Sequence, residues 1–448
     1  MARRKRTPNT SLSALLREAH WGNDQLARAV NITGAEAGLS LSYDKTTVAH
    51  WLTGSRPKEP VREVVREAFA RRLGRPVTAS EAFADEADLE SDPVSGLVEL
   101  GRADMDPSRR AVLTAGLYSA ALVLPGFTDG LTDATGRIEH SRGADRTVHI
   151  GAGEVATVNT MTDRIASILD ELGAAHARPM AAAFLVSSVG PWLRASGTED
   201  TKRQLLAAAS DLTYLTGWMA MYETAHGLGQ RYYVQALKLA SEAGDKVTYC
   251  RTLRGMALQA SSLGYGSRTL ELADAAAEAS PQAGPRLQAF LSGQQAHGAA
   301  MVGDRRMAFQ RLQETEASLS RADGRNDAVG GYDAAAYHFH ASHVLYELGD
   351  LPGSIRELTL SNRVRLPGER QGRVHAMGLL ARRQMELGHV EESCRTWGLF
   401  LDDYTGISSV RGDEHFRLLR SALGRHQTVQ AVAEITPRVR TVARLKAA

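Results

Sequence analysis

The stretch Tyr43-Asp-Lys-Thr-Thr-Val-Ala-His-Trp-Leu-Thr-Gly-Ser-Arg-Pro57 specifies a short helix with one face to bury and one to expose. Asp44 is placed to cap it, because a carboxylate accepts the orphan N–H groups of a first turn. Val48, Trp51 and Leu52 fall at i, i+3 and i+4 and predict the buried face. Lys45, Thr46, Thr47 and His50 are left pointing outward. Gly54 suits the helix end, and Pro57 forbids continuation. A short capped helix with polar side chains near its N-terminus has the dimensions that enter a DNA major groove.

Working outward, Leu12, Leu15, Leu16 and Ala19 predict one amphipathic helix. Asn23 or Asp24 is placed to cap a second, with Leu26, Ala29 and Val30 inward. After Pro57, a stripe of Val61, Val64, Val65, Ala68, Phe69 and Leu73 starts at Pro60 and stops at Gly74. Four short helices in about seventy residues suffice for a small helical DNA-binding domain.

The strings Asn23-Asp-Gln-Leu-Ala27, Thr46-Thr-Val-Ala-His-Trp51 and Gly54-Ser-Arg-Pro57 resemble the Xre-type helix-turn-helix of phage-repressor-like regulators. The whole 43–57 stretch resembles the regulators of filamentous bacteria with GC-rich genomes, which join such a domain to a long helical-repeat region. One departure is an insertion over Ile32–Ser42, read as a second helix lengthened to Gly38 and a loop holding Leu39 and Leu41. On this reading Thr46, Thr47 and His50 face base edges, and Lys45 reaches a base or phosphate. Arg56 and Lys58 hold the backbone, and Asn23 sits where related domains place a phosphate-contacting Gln. Arg3, Arg4, Lys5 and Arg6 form either an arm along the DNA or a solubilising tail. The resemblance implies a transcription factor, often a repressor of differentiation or secondary metabolism and often responsive to a peptide or small ligand.

The 448-residue chain has a formal charge of only +2, unevenly spread. Residues 1–76 carry 14 Lys/Arg against 7 Asp/Glu, whereas the remainder is net acidic, so only the head is expected to meet phosphate. Residues 77–107 hold nine acidic residues and one Arg102, and are expected to form an acidic linker. The two cysteines, Cys250 and Cys394, have no partner motif, which argues against a disulfide or zinc scaffold and fits a reducing cytoplasm. Arg109-Arg110 followed by Ala111–Leu124 imitates a twin-arginine signal, but it is internal and shorter than the roughly twenty apolar residues of a spanning helix. A buried helix is expected there, in a connecting region over 108–200, with no membrane association.

Beyond residue 108 strand signals are nearly absent. Val155, Val158, Thr162, Ile165, Ile168, Leu169 and Leu172 share one helical face that stops at Gly173. Leu263-Gly264, Val302-Gly303, Leu348-Gly349 and Leu387-Gly388 each end one helical pattern and open the next, at spacings of 39, 46 and 39 residues. Gly217, Gly229, Tyr233 and Ala236 match the small–small–aromatic–small spacing of a tetratricopeptide hairpin, as do Ala308 with Leu312, and Ser393 with Trp397 and Phe400. These matches resemble degenerate tetratricopeptide-like repeats longer than the usual ~34 residues. The expected fold is all-α: a helix-turn-helix head over 1–76 and an α-solenoid over 201–448, whose curvature leaves a groove for a peptide or small effector.

Catalytic constellations are not found: no phosphate-binding Gly-Lys loop, no His-Glu-x-x-His and no nucleophile elbow. His338, His340 and His343 are the best metal candidate, but only the last two share a helical face, so no metal or cofactor is expected and groove-lining histidines are the default. Tyr214, Trp218, Tyr222, Tyr232 and Tyr233 are expected to pack between repeats, with one or two lining a ligand groove. The expectation is therefore a cytoplasmic homodimeric regulator of double-stranded DNA, not an enzyme. The reading left open beside it is a protein–protein adaptor that uses the repeat groove.

Overall fold

The computed structural model describes residues 8–36, 39–58, 61–73, 77, 79–83, 92–106, 118–119, 122, 124–127, 149–279, 284–322 and 332–447. It is all-α; among the described residues the only β pairing is an isolated bridge between His149 and Ser196. The head comprises α1 (Thr10–Glu18), α2 (Asn23–Glu36), α3 (Lys45–Leu52), α4 (Val61–Leu73) and the single turn α5 (Ala79–Ala82). Leu12, Leu15, Leu16, Leu26, Val30, Val48, Trp51, Val64, Val65 and Phe69 form its core, which Ala82 and Phe83 complete.

Two expectations for this region change. Neither Asn23 nor Asp24 caps α2. The helix starts from Gly22, whose N–H donates to Gln25 Oε1 at 2.6 Å, so a side chain on the third helical residue does the capping. The acidic stretch 77–107 is also more than a linker in its described parts. Phe83 belongs to the head core, and α6 (Pro93–Met105) packs into the body through Leu97 and Leu100. Asp104 on α6 is buried; it accepts from the Tyr232 hydroxyl at 3.0 Å and pairs with buried Arg178, which also meets Glu223 at 2.6 Å. A buried guanidinium is costly unless paired, so this carboxylate is a counter-ion inside the body.

The body begins with α7 (Ala152–Leu172), α8 (Ala174–Phe184), a π turn (Leu185–Val189) and α9 (Gly190–Leu193). Hairpins follow: α10 (Glu199–Tyr222) with α11 (His226–Ala243), α12 (Lys246–Ser262) with α13 (Gly266–Ala279), and α14 (Pro285–Met301) with α15 (Arg305–Ser320). Then come α16 (Ala334–Glu347) with α17 (Leu351–Val364), α18 (Arg370–Glu386) with α19 (Val390–Tyr404), and α20 (Val410–Arg425) with α21 (Gln430–Ala447). The four expected turn glycines, Gly264, Gly303, Gly349 and Gly388, all have φ between +80° and +89°, a region that suits glycine because it lacks a Cβ. Asp304 and Asp350 then cap the next helix through Met307 N and Gly353 N. The hairpin α10–α11 closes tightly: a Cβ on Gly217 would lie 2.9 Å from the Tyr233 ring and 3.1 Å from Gly229 O. Ala308, Ser393, Trp397 and Phe400 are buried at the expected second-helix positions.

The solenoid also turns back on itself. Ser408, after α19, donates its N–H to Leu172 O at 2.8 Å. A Cβ on Gly173 (φ +96°) would collide with the Ser408 carbonyl, so this contact requires glycine. The Arg411 guanidinium of α20 lies 5.0 Å from the Tyr222 ring of α10. The last hairpins thus close against the first ones.

The helix expected over 111–124 falls partly outside the described residues. The described ones, Tyr118, Ser119, Leu122 and Leu124, are not helical. Gln230 accepts from Ser119 N and donates to Ser119 O, both at 2.8 Å, and Tyr118 stacks on Tyr265 at 5.5 Å. A segment whose backbone is bonded to side chains has no need of helical hydrogen bonds.

Replacing Gly217 with alanine is expected to destabilise the protein by about 1–3 kcal/mol, because the Tyr233 ring and the opposing backbone leave no room. Gly153→Ala in α7, with open space around it, is expected to be neutral or slightly stabilising. Thermal unfolding of the two variants measures the difference.

Candidate nucleic-acid interface and inner chamber

The head presents α3 on its surface. Asp44 caps it as expected: Oδ1 accepts from Thr47 N at 2.8 Å and from the Thr47 hydroxyl at 2.9 Å. These bonds to the charged form hold the exposed Asp44 carboxyl below its ordinary value. Val48 and Trp51 are buried, and Tyr43 meets Trp51 edge-on at 5.2 Å. Lys45, Thr46, His50, Arg56 and Lys58 are exposed; Thr47 and Asn23 are half-buried. The Thr47 hydroxyl spends its proton on the cap, so it is left as an acceptor. Asn23 stands on the first turn of α2. Arg3, Arg4, Lys5 and Arg6 lie outside the described residues.

The insertion between α2 and α3 is fixed by Asn31, a residue that the sequence reading did not single out. Its amide donates to Tyr43 O and accepts from Tyr43 N, both at 2.8 Å, so one side chain clamps the residue before the cap. Leu41 packs on Gly34, where a Cβ would meet it at 2.4 Å. An Asn between two apolar positions of a helix is a weak signal, because its partner lies twelve residues away across an irregular loop.

The head docks on the body through the outer side of α4. Glu63 accepts from Arg231 of α11 at 2.6 and 2.8 Å, and Tyr265 lies within electrostatic reach of Arg71, Glu36 and Glu67. The face bearing Lys45, Thr46 and His50 stays open to solvent in the full chain.

Closure of the solenoid creates a second place of interest. The first helices of successive hairpins carry His297 (α14), His340 and His343 (α16), His375 (α18) and His415 (α20) in a chain of ring contacts. His297 and His343 have centroids 5.0 Å apart, and His375 and His415 have ring nitrogens 3.0 Å apart. Phe339 bridges His343 and His375 at 4.7 and 5.8 Å. Tyr332 bonds His340 Nδ1 at 3.0 Å. Gly293 and Gly378 make room, since a Cβ at either would strike His340 or His415 at 2.4 Å. His338 points elsewhere, to Glu357 of α17 at 2.7 Å, so the three histidines of α16 do not converge. Of the tyrosines, Tyr232 sits in the core, Tyr214 and Tyr233 are buried beside Arg254, and Tyr222 and Trp218 are half-buried on the inner face.

Burial sets the protonation of these rings. Desolvation, reinforced by Arg383 and Arg254, pulls His297 down to about 4. Desolvation also brings His226 to about 4 and His415 to about 3, and holds His340, His343 and His375 well below the usual value of 6.5. The same burial lowers Arg254 and Arg411, and takes Arg383 to about 10. Below pH 6.5 the unfolded chain therefore binds protons that the folded chain refuses, which favours unfolding. The stability contributed by the neutral rings is full above pH 6.5 and is lost as pH falls toward 4. The thermal midpoint is expected to drop between pH 7 and pH 4.5, and less so when His297 and His415 are both replaced by Phe.

Comparisons with known proteins touch the head and the body separately. A family model described as the SP15 N-terminal domain matches residues 12–83. That range coincides with the head core, which runs from Leu12 to Phe83. No curated protein matches the chain. Among solved structures, the crystal structure of the APC/C hetero-tetramer Cut9–Hcn1 aligns over 88% of this chain and 75% of that one, at 13% identity and a TM-score of 0.31.

Proposed function

We propose that the protein is a DNA-binding transcriptional regulator whose α3 enters the major groove. The observation that carries this reading is the exposed polar face of a capped eight-residue helix, clamped in place by Asn31 on a basic head. Thr46 and His50 would read base edges and Lys45 a base or phosphate, while Arg56 and Lys58 steady the backbone. Thr47, with its hydroxyl proton on Asp44, would contribute its methyl group or accept a bond. Asn23 and the arm Arg3, Arg4, Lys5 and Arg6 would add phosphate contacts.

One head covers a small site, and specific operators usually present two half-sites about one helical turn (~34 Å) apart. The repeat region would therefore dimerise and set the spacing of the heads. The chain would act in the cytoplasm as a regulator responsive to a small or peptide effector, as a repressor of differentiation or secondary metabolism by resemblance, and not as an enzyme. The stacked hairpins favour a second reading, since such surfaces take protein partners. In that reading the repeats form an adaptor and the head is secondary.

Selection of bound duplexes from a random pool by the full-length protein, followed by gel-shift titration, tests the first reading. Thr46→Ala with His50→Ala is expected to cost about 1–3 kcal/mol per lost base contact and to relax sequence preference. Lys58→Ala should weaken all sequences alike and reduce the salt slope by about 1. Failure to enrich any sequence, together with full function after deletion of residues 1–76, would hand the case to the adaptor. Asn31→Ala is expected to weaken specific binding as well, because Tyr43 and the cap of α3 lose their clamp.

A further inference from the structure

The body pairs other buried arginines with carboxylates. Arg178 lies between Asp104 and Glu223, and Arg251 meets Asp211. Arg254, one turn further along α12, is different. It is buried, its guanidinium stands 3.8 Å from the Phe290 ring and 5.6 Å from the Trp218 ring, and one nitrogen lies 3.4 Å from His340 Nε2. Its Nε has no partner among the described residues, and the groups that act on it most strongly are Tyr214, which also bonds it, Tyr332, Tyr233 and Tyr222. Arg383 is held by the hydroxyls of Ser354 (2.7 Å) and Ser342 with Glu347 and Glu386 within electrostatic reach, and Arg411 lies over Tyr222 with Glu414 within reach. Around them both amide atoms of Gln294, and Nδ1 of His297 and of His415, are buried and unbonded.

A buried cation such as Arg254 without an ion pair among the described residues, together with orphaned polar atoms, is expensive for a folded chain unless something supplies the missing charge and hydrogen bonds. Trp218, Tyr222, His343 and His375 are only half-buried, so part of their inner-face surface is left uncovered. These aromatic rings suit a flat apolar body, and the Arg254 guanidinium suits an oxyanion.

We propose that this inner chamber binds a small organic anion, its carboxylate or phosphate on Arg254 with polar support from Gln294 and His297, and its apolar part against Trp218 and Tyr222. The site stands apart from the reading of α3, because neither its chemistry nor its test involves nucleic acid. Neutral imidazoles contribute here as hydrogen-bond groups that do not add to the charge. Binding neutralises a desolvated cation, so it stabilises the closed solenoid.

The test uses the full-length protein, titrated calorimetrically and by thermal unfolding with benzoate, phenyl phosphate and neutral benzamide, each against sodium chloride at matched ionic strength. At least one of the two anions should bind at one site per chain and raise the midpoint, while benzamide should not. A stronger effect of phenyl phosphate assigns a phosphate, and of benzoate a carboxylate. Arg254→Met should weaken that anion at least tenfold, and should also raise the midpoint of the unliganded protein, because it removes a buried charge that nothing neutralises. A purely structural arginine would show the opposite shift. If Arg254→Met does not fold, His297→Phe keeps the ring volume, removes a polar group from the chamber and should weaken binding severalfold. Lack of stabilisation by either anion beyond the salt control overturns the proposal, as does binding unchanged by these substitutions.

Discussion

The contact between Leu172-Gly173 and Ser408 is the constraint on which the body's architecture depends. A helical hairpin hides only one of its faces, and each hairpin in a stack borrows a neighbour to cover the other. At the ends of an open stack no neighbour remains. Here the chain brings its ends together: Ser408 N reaches Leu172 O, Gly173 leaves space for the approach, and Arg411 covers Tyr222. Closure turns a concave groove into a chamber. It also explains why the inner helices can carry so many histidines and arginines deep inside: a continuous curve brings the inner side of α14 through α20 face to face with α10 and α12.

What could be read from the sequence was what short-range rules govern. Helix faces in the head recur at three and four residues, and Leu12, Val48, Trp51 and Phe69 are buried where that period puts them. Turn glycines announce themselves because only a positive φ lets one helix end and the next begin so tightly, and Gly264, Gly303, Gly349 and Gly388 have it. The Gly217–Gly229–Tyr233 spacing worked for the same reason, since close backbone approach leaves a local mark. The features that escaped are all pairings at long separation. Asp104 looked like one more acid in a charged spacer until Arg178 and Tyr232 appeared beside it. Asn31 looked like an ordinary helix residue, and the segment around Tyr118 looked helical because apolar runs do not declare their partners. His340 and His343 could be placed on one face, but nothing in a single helix tells that His297 and Arg254 would meet them from two other helices.

Around α3, the side chains that hold the helix in place differ from those that face solvent. Asp44, Asn31, Tyr43 and Trp51 make contacts within the head, and these set the angle and depth of α3. Lys45 and His50 face solvent, and so does Thr46, which also bonds the Asp44 carboxylate. Thr47 belongs to both groups, because its hydroxyl completes the cap while its position faces outward. The outer face of α4 is committed to the body, so the direction of the exposed α3 face is tied to that of the solenoid.

Besides the Glu63–Arg231 pair, a second link between head and body involves α12. α12 carries Arg254 on its inner side. Near its start, Tyr249 donates to Pro125 O at 2.7 Å and meets Phe127 edge-on at 5.1 Å. The segment it holds includes Tyr118, which stacks on Tyr265, and Tyr265 borders the charged face of α4 in the head. A ligand influences a distant site only to the extent that it binds two arrangements of the protein unequally. In this fold a shift of α12 is an arrangement that both ends would register, since Arg254 lies on its inner side and Tyr249 contacts Pro125 and Phe127. By linkage any such influence would be reciprocal between the two ends.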